Sequence, residues 1–511
     1  MKKYFLFFLA TSFLLVGCSK DDDDNGIPKG PGNVQLENEV NEFIWKGLNY
    51  WYFWQADQEL LADDRFANTD EFYTFLNNYS SSEDLFDDLI YQPGVVDDFS
   101  WYIEDVEEQL NSFRGISKTY GIKFPRSLIR PNPNTDDVVI FIAYVVPGSP
   151  ADQAGLKRGD IINRVDGETM NTGNSSIINK VFSEESITLG LAEIVNGEVQ
   201  SVGDEIPLTA VTLTENPVHY YEIIEEGGKK IGYLVYNGFR STFNGELNDV
   251  FGVFKNENID EFVLDLRYNG GGSVLSSALL ASMINGNITA QNDAFARLQY
   301  NEKRDSENGF TYPFFDEVFL YDKTTSDFIG DEPANRLTTL SRLYVLVSNR
   351  TASASEMIIN GLRPYMPVTL VGETTVGKNE GSITVVDAPG SGNSDPYTDV
   401  DNRNPNHTVG MQPIVFQVFN SRNESDYTFG FEPDILVEEF RFVADIKPFG
   451  DPDEALLRVA LDDILGVSAK KAFMRPDQNL MRKEGEIKLP RFTDEMYLTD
   501  RGHQRDHQDF P

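Results

Sequence analysis

Cysteine is almost missing from this chain: Cys18 is the only one in 511 residues. Disulfides within the chain are therefore ruled out. Histidine is nearly as scarce, with His219, His407, His503 and His507 the full set. None sits in a motif that suggests a triad, and without clustered histidines a metal-dependent hydrolase lacks its ligands. Positive charge is short as well. Lys and Arg number 43 against 82 Asp and Glu, a net charge of −39. That balance argues against nucleic acid, which demands a basic face, and supplies no basic patch for anionic lipid. So many acids otherwise read as solvated surface. Gly and Pro are ordinary in number, and there is no internal repeat. Phe (36) and Tyr (22) are plentiful, and 40% of the chain is hydrophobic. A chain of this length exceeds one ordinary core, so roughly two to four well-packed domains are expected.

Met1-Lys2-Lys3 is a charged start, and Tyr4 to Val16 is largely apolar. That run is too short to span a bilayer as a stable helix. Leu15-Val16-Gly17-Cys18 resembles a bacterial lipoprotein signal, which is cut before the cysteine and lipid-modified there. The resemblance implies a signal over residues 1–18, lipidation at Cys18, and a protein anchored by lipid to the outer membrane of the cell envelope, periplasmic or surface-facing. An ordinary secretory signal with an incidental cysteine is the alternative. Ser19-Lys20-Asp21-Asp22-Asp23-Asp24 resembles the acidic tract of surface-exported lipoproteins, and reads equally as part of a flexible, solvated tether over 19–36.

Residues 37–111 read as a helical subdomain. Phe43, Ile44, Leu48, Trp51, Tyr52 and Trp54 form one apolar cluster, with Phe72, Phe75 and Leu76 a second. Residues 115–214 change to strands and turns. Val138 to Val145 is strand-like, and Gly148-Ser149-Pro150-Ala151 with Ala154-Gly155-Leu156 and Gly159-Asp160-Ile161-Ile162 follows. This segment resembles a bacterial PDZ domain, a β-rich module that takes a peptide as an added strand. The resemblance implies Tyr120-Gly121-Ile122 as the carboxylate loop and Ser176 to Phe182 as the helix beside the groove. A PDZ serving only as a spacer is the alternative.

From 215 to 468 strand and helix alternate, which implies an α/β core with a largely parallel sheet. Lys230–Tyr236 and Phe262–Leu266 read as strands, Phe243–Phe254 and Val274–Ile284 as helices. Residues 290–336 have no clear period and read as an insertion. Asp399 to Asn404 lacks an EF-hand's glycine and glutamate and reads as a solvated loop. Phe416–Phe419 and Asp426–Gly430 look like a closing hairpin, and Asp451–Leu465 has helical spacing. Residues 469–511 are polar and charged and read as a surface tail.

The chemistry concentrates in one stretch. Leu343-Tyr344-Val345-Leu346-Val347 reads as a buried strand, and Met357, Ile358, Gly361 and Leu362 have helical spacing. Ser353 lies at the helix start between them. Ser353-Ala354-Ser355-Glu356 fits the capping box, in which serine and glutamate cap reciprocally. The other reading is a nucleophile, because a helix N-terminus offers free N–H groups to a developing oxyanion. A nucleophilic serine needs a base. A lysine can serve if it is neutral, and burial lowers a catalytic lysine from about 10.4 to roughly 7–8. Lys378 follows the apolar run Val368–Val371 and Gly377, so adjacent parallel strands would bring it to Ser353.

Thr351 to Glu356, Gly372-Glu373-Thr374, Gly377-Lys378 and Asp265-Leu266-Arg267-Tyr268-Asn269-Gly270-Gly271-Gly272 together resemble the C-terminal processing (tail-specific) serine–lysine peptidases. The separation of serine and lysine, 25 residues, matches that family. The resemblance implies a multidomain α/β protein: a helical N-terminal subdomain, a PDZ domain and a peptidase core. It implies Ser353 as nucleophile, Lys378 as base, and Gly271 or Gly272 with Ala354 as the oxyanion donors. Substrates would be unstructured or C-terminally tagged proteins, with no cofactor and no metal. Two positions depart from the family pattern. Ser382 stands where many members have a lysine-orienting glutamine, and Pro364 where some have an aspartate. The rival reading is a catalytically inactive lipoprotein that binds peptides, against which the intact Ser353 and Lys378 stand.

Overall fold

The computed structural model describes residues 32–288, 294–389, 396–467, 480–490, 493 and 495–498. Cys18 and the proposed signal and most of the tether lie outside the described residues.

The organising element is a six-stranded sheet in the order Val218–Glu226, Lys229–Tyr236, Glu261–Asp265, Leu343–Val347, Val368–Gly372, Ile435–Leu436. Its first two strands form an antiparallel pair, and every later pairing is parallel. Glu261–Asp265 and Leu343–Val347 are buried along their whole length. That explains why Phe262-Val263-Leu264 and Leu343–Val347 appear as unbroken apolar runs rather than as alternation. Successive residues still face opposite sides. Leu264, Val345 and Val347 join the cluster of the Val274–Ile284 and Ala354–Leu362 helices. Val263, Tyr344 and Leu346 join Leu456, Leu457, Leu461 and Ile464 of the Ala455–Ile464 helix.

The helical N-terminal part comprises Glu39–Trp51, Thr69–Leu76, Ser82–Leu89 and Val106–Phe113. Asn38, Asn68, Ser81 and Asp105 cap them with side-chain oxygens, as their short polar side chains favour. Trp45, Trp51 and Tyr52 are fully buried and share one cluster with the α/β core. The helices therefore do not form a separate core.

The PDZ part is built on the strands Glu198–Thr209, Ser186–Val195, Ile161–Val165 and Ile140–Phe141. The run from Val138 is broken, giving Ile140–Phe141 and Tyr144–Val145, which pair with different partners. Its flanking helix, Ser175–Phe182, is a 3-10 helix.

Three expectations are corrected. Residues 294–333 carry four strands, Ala294–Tyr300, Phe310–Pro313, Glu317–Tyr321 and Phe328–Pro333. Asp426–Gly430 forms no strand. Tyr427 instead stacks on Phe431 at 4.7 Å, and Phe431 N–H donates to Thr375 Oγ1 at 2.7 Å. The segment beyond Ala469 is not wholly a surface tail. Arg482–Glu486 pairs with Ser127–Arg130, and Met496–Leu498 is buried in a second six-stranded sheet. There it lies between Gly272–Ser273 and Glu380–Ile383.

Candidate active site

The site forms where parallel strands end on the same edge of the central sheet. After Val347 the chain turns through Ser348 to Ala352 before the next helix. Thr351 Oγ1 accepts from Ser348 N–H and donates to Leu266 O, both at 2.9 Å, so this turn is pinned to the neighbouring strand. Ala352 N–H (3.2 Å) and Ser355 Oγ (3.0 Å) both donate to Asn269 O. Asn269 Nδ2 in turn donates to Tyr236 O at 2.8 Å. The asparagine of the Asp265–Gly272 motif thus joins three strand ends.

Ser353 sits at φ +63°, ψ −117°, a region costly for a residue with a side chain. It is fully buried, and its Oγ has no hydrogen-bond partner among the described residues. Ser353 and Glu356 are placed as the expected capping box, with Glu356 accepting from Ser353 N–H, yet Ser353 Oγ makes no cap hydrogen bond of its own. The glutamate of the same motif has a wider reach than a cap. Glu356 Oε2 accepts from Ser353 N–H and from Lys378 N–H, each at 2.9 Å. Its Oε1 accepts from Thr375 Oγ1 at 2.5 Å and Gly377 N–H at 2.8 Å. One buried carboxylate therefore ties the serine turn to the lysine turn. Burial pushes this carboxyl up to about 7, against the pull of the four donors.

Lys378 is fully buried, and its Nζ lies 4.5 Å from the centre of the Phe99 ring. Phe99 belongs to the N-terminal part, which thus reaches the site. Nζ also pairs with Glu495 Oε2 at 2.8 Å. Ser382, the departure from the glutamine pattern, accepts from Gln412 Nε2 at 3.0 Å and donates to Met496 O at 3.2 Å. Pro364 O accepts from Arg422 Nη2 at 2.9 Å. Burial raises Glu380, two residues beyond the lysine, to about 7, opposed by the charge of Lys378.

The two glycines differ. Gly271 N–H is committed to Asn269 Oδ1 at 2.9 Å. Gly272 N–H donates to the carbonyl of Glu495. An ideal Cβ on Gly271 would collide with that carbonyl and come within 2.7 Å of Ser353 Cβ and 3.1 Å of Ala354 N. Gly271, Gly272, Ser353 and Ala354 therefore surround one small volume. The open space beside Gly270–Gly272 is about 70 Å³, room for a few waters but not for a peptide. A larger cleft of about 690 Å³ adjoins it, lined by Asp97, Phe99, Trp101, Arg126, Ile487 and Glu495.

Asp265 and Arg267 of the same motif have a structural task. Arg267, fully buried, pairs with Asp265 (2.8 Å), Glu439 (2.9 Å) and Glu454 (2.7 Å). Arg158 of the PDZ part joins the cluster through Glu439 at 2.7 Å and lies over the Phe449 ring at 4.3 Å. Burial opposes the charge of Glu454, but Arg267 and Arg158 outweigh it and hold its carboxyl down to about 2.

In the PDZ part, Tyr120 and Ile122 are buried. Gly121, at φ +81°, donates its N–H to Thr119 Oγ1 at 3.0 Å. Ala151 N–H (3.0 Å) and Val146 N–H (2.8 Å) donate to the carbonyls of Tyr120 and Gly121. The loop is thus shaped by its own backbone bonds.

Comparison with known proteins agrees with this organisation. The peptidase family S41 model matches residues 230–394, its N-terminal domain model residues 39–101, and a PDZ domain model residues 141–179. A carboxyl-terminal-processing protease of Picosynechococcus is 28% identical over 251 residues, 49% of this chain and 53% of that protein. The carboxy-terminal processing protease CtpA of Bacillus subtilis is 25% identical, over 55% of this chain and 52% of that one. The chain thus spans about half the length of the curated relatives it matches. A crystal structure assigned to family S41, from Bacteroides fragilis, superposes with a TM-score of 0.62 at 27% identity. It covers 86% of this chain and 99% of its own. Residues 230–394 thus match the peptidase domain of family S41, and the PDZ match lies between them and the match to the family's N-terminal domain.

Proposed function

We propose that this protein is a serine endopeptidase that cuts unstructured or C-terminally tagged protein chains. Ser353 attacks the scissile carbonyl, and Lys378, when neutral, takes its proton. The N–H groups of Gly272 and Ala354 receive the oxyanion. Gly271 supports them by fixing the turn through Asn269. The observation that carries this reading is the Glu356 carboxylate, which binds the backbone of both Ser353 and Lys378 while leaving Ser353 Oγ without a partner. Four donors on one buried carboxylate fix the relative position of two turns, and positioning is what a nucleophile and its base require. The PDZ domain binds substrate strands. The test is digestion of casein by wild type and by Ser353→Ala, with mass mapping of the fragments. Cuts present with wild type and absent with the variant are expected. The same cuts from both would remove Ser353 from the chemistry.

We further propose, on the pattern around Cys18, that the mature chain is anchored to the cell envelope by lipid on that cysteine. Cys18→Ser should move the protein out of the membrane fraction or leave it unprocessed. A mature chain without lipid by mass would end that proposal.

A further inference from the structure

Two grooves matter to the proposed peptidase, and two stretches near the end of the same chain fill them. Arg482–Glu486 adds antiparallel to Ser127–Arg130, with Arg482 opposite Arg130 and Glu486 opposite Ser127. It runs toward the Tyr120–Ile122 loop. Ile487 N–H continues the pairing to Arg126 O at 2.9 Å, and Lys488 N–H donates to Asn179 Oδ1 on the 3-10 helix, also at 2.9 Å. Ile487 is buried among Tyr120, Ile122, Phe124 and Ile178 of the PDZ core. An added strand with an apolar anchor is how a sheet edge captures a peptide.

Further along, the second stretch enters the candidate active site. The Glu495 carbonyl accepts from Gly272 N–H. Met496, Tyr497 and Leu498 are no more than 5% exposed. They lie parallel to both neighbours, Met496 opposite Gly272, Tyr497 opposite Ser273 and Ser382, and Leu498 opposite Ile383. Tyr497 stacks on Phe113 at 3.7 Å. The Glu495 side chain turns to Lys378, with Oε2 2.8 Å from Nζ and both side chains buried.

We infer that two described stretches near the end of the chain, Arg482–Lys488 and Glu495–Leu498, act as a built-in strap that closes the peptidase, the first in the PDZ groove and the second in the catalytic cleft, with Glu495 as the latch on Lys378. An ammonium held in an ion pair has no lone pair for the proton of Ser353. A substrate carbonyl cannot use Gly272 N–H while the Glu495 carbonyl holds it. Nor can a substrate strand enter between Gly272–Ser273 and Glu380–Ile383 while Met496–Leu498 is there. The site opens when the strap leaves, and a partner or substrate that competes for the PDZ edge at Ser127–Arg130 releases its first anchor. This inference rests on the peptidase reading of Ser353 and Lys378.

The test uses the full chain as wild type, Ile487→Asp and Glu495→Gln. Cleavage of fluorescein-labelled casein, labelling of Ser353 by a fluorophosphonate, and hydrogen exchange of the Met496–Leu498 amides are followed together. If the closed form dominates, activity scales with the open fraction, and either substitution should raise both rates about tenfold or more. Ile487→Asp should also expose the Met496–Leu498 amides, and a synthetic peptide of the Arg482–Leu498 sequence should bring its rate back toward wild type. Glu495→Gln keeps the side chain's volume, so it carries the test if Ile487→Asp does not fold. Unchanged rates in both variants would overturn the inference. Loss of amide protection in Ile487→Asp with no cleavage or labelling by any form would support closure by the strap and overturn the peptidase reading.

Discussion

Ser353 and Lys378 hang from the same oxygen: their backbone N–H groups both donate to Glu356 Oε2, each at 2.9 Å. The two residues come from different turns, and the shared acceptor sets the distance between those turns. Replacing this carboxylate by an amide keeps the shape but leaves one acceptor oxygen for four donors. We expect Glu356→Gln to fold and to lose about 100-fold in casein cleavage, since a misplacement near 1 Å is that costly. Thermal unfolding measured beside the rate separates the two effects. A variant with full activity would show that the tie is not what positions the pair.

The same carboxyl gives a pH signature. Its ordinary value is 4.5 and burial raises it to about 7. Between those values the folded protein holds a proton that the unfolded chain has released. Stability then falls as pH rises through this window, by at most ~1.4 kcal/mol per pH unit for this one group. Glu380 adds a limb of the same sign, being also raised to about 7. Glu454 works in the opposite sense. Its carboxyl is held down to about 2, so its contribution is present above 4.5 and lost as pH falls toward 2. Urea unfolding of wild type and Glu356→Gln from pH 4.5 to 7 should show wild type losing stability relative to the variant. A difference that stays constant across the window would contradict the assignment.

Arg267 holds three carboxylates out of solvent, those of Asp265, Glu439 and Glu454. Arg267→Met removes the one charge that reaches all three among the described residues. Breaking a buried cluster by deleting one partner costs about 3–5 kcal/mol. We expect a loss of that size in urea unfolding. Arg267→Lys should recover little of it, because a point charge cannot reproduce the planar fork. A small effect in both variants would mean that water replaces the guanidinium.

The fold was legible where local pattern and tertiary role coincide. The Val274–Ile284 helix and the strand at Leu343–Val347 appear in the sequence as they stand in the structure, because full burial leaves an apolar run that few alternatives can accommodate. The turns at Ser353 and Lys378 were legible because glycine and small residues are needed where backbones approach closely. Glu356 was legible only as a helix cap, since a local motif says nothing of the donors 19 to 22 residues away. Glu495 was invisible. Its partner Lys378 is 117 residues distant, and Met496-Tyr497-Leu498 is too short to show a period. The surrounding charge made the whole stretch read as solvated. Phe99 against Lys378 escaped for a like reason, as an aromatic in a polar loop has no pattern of its own.

The central claim is that Lys378 is the base for Ser353, and one comparison tests it most directly: casein cleavage by Lys378→Arg beside wild type. Arginine keeps the positive charge that pairs with Glu495 but stays protonated, so it cannot accept the proton of Ser353. Ser355→Ala serves as the control, since its Oγ only braces Asn269 O. No cleavage by Lys378→Arg is expected, with cleavage retained by Ser355→Ala. Cleavage that survives in Lys378→Arg would contradict it.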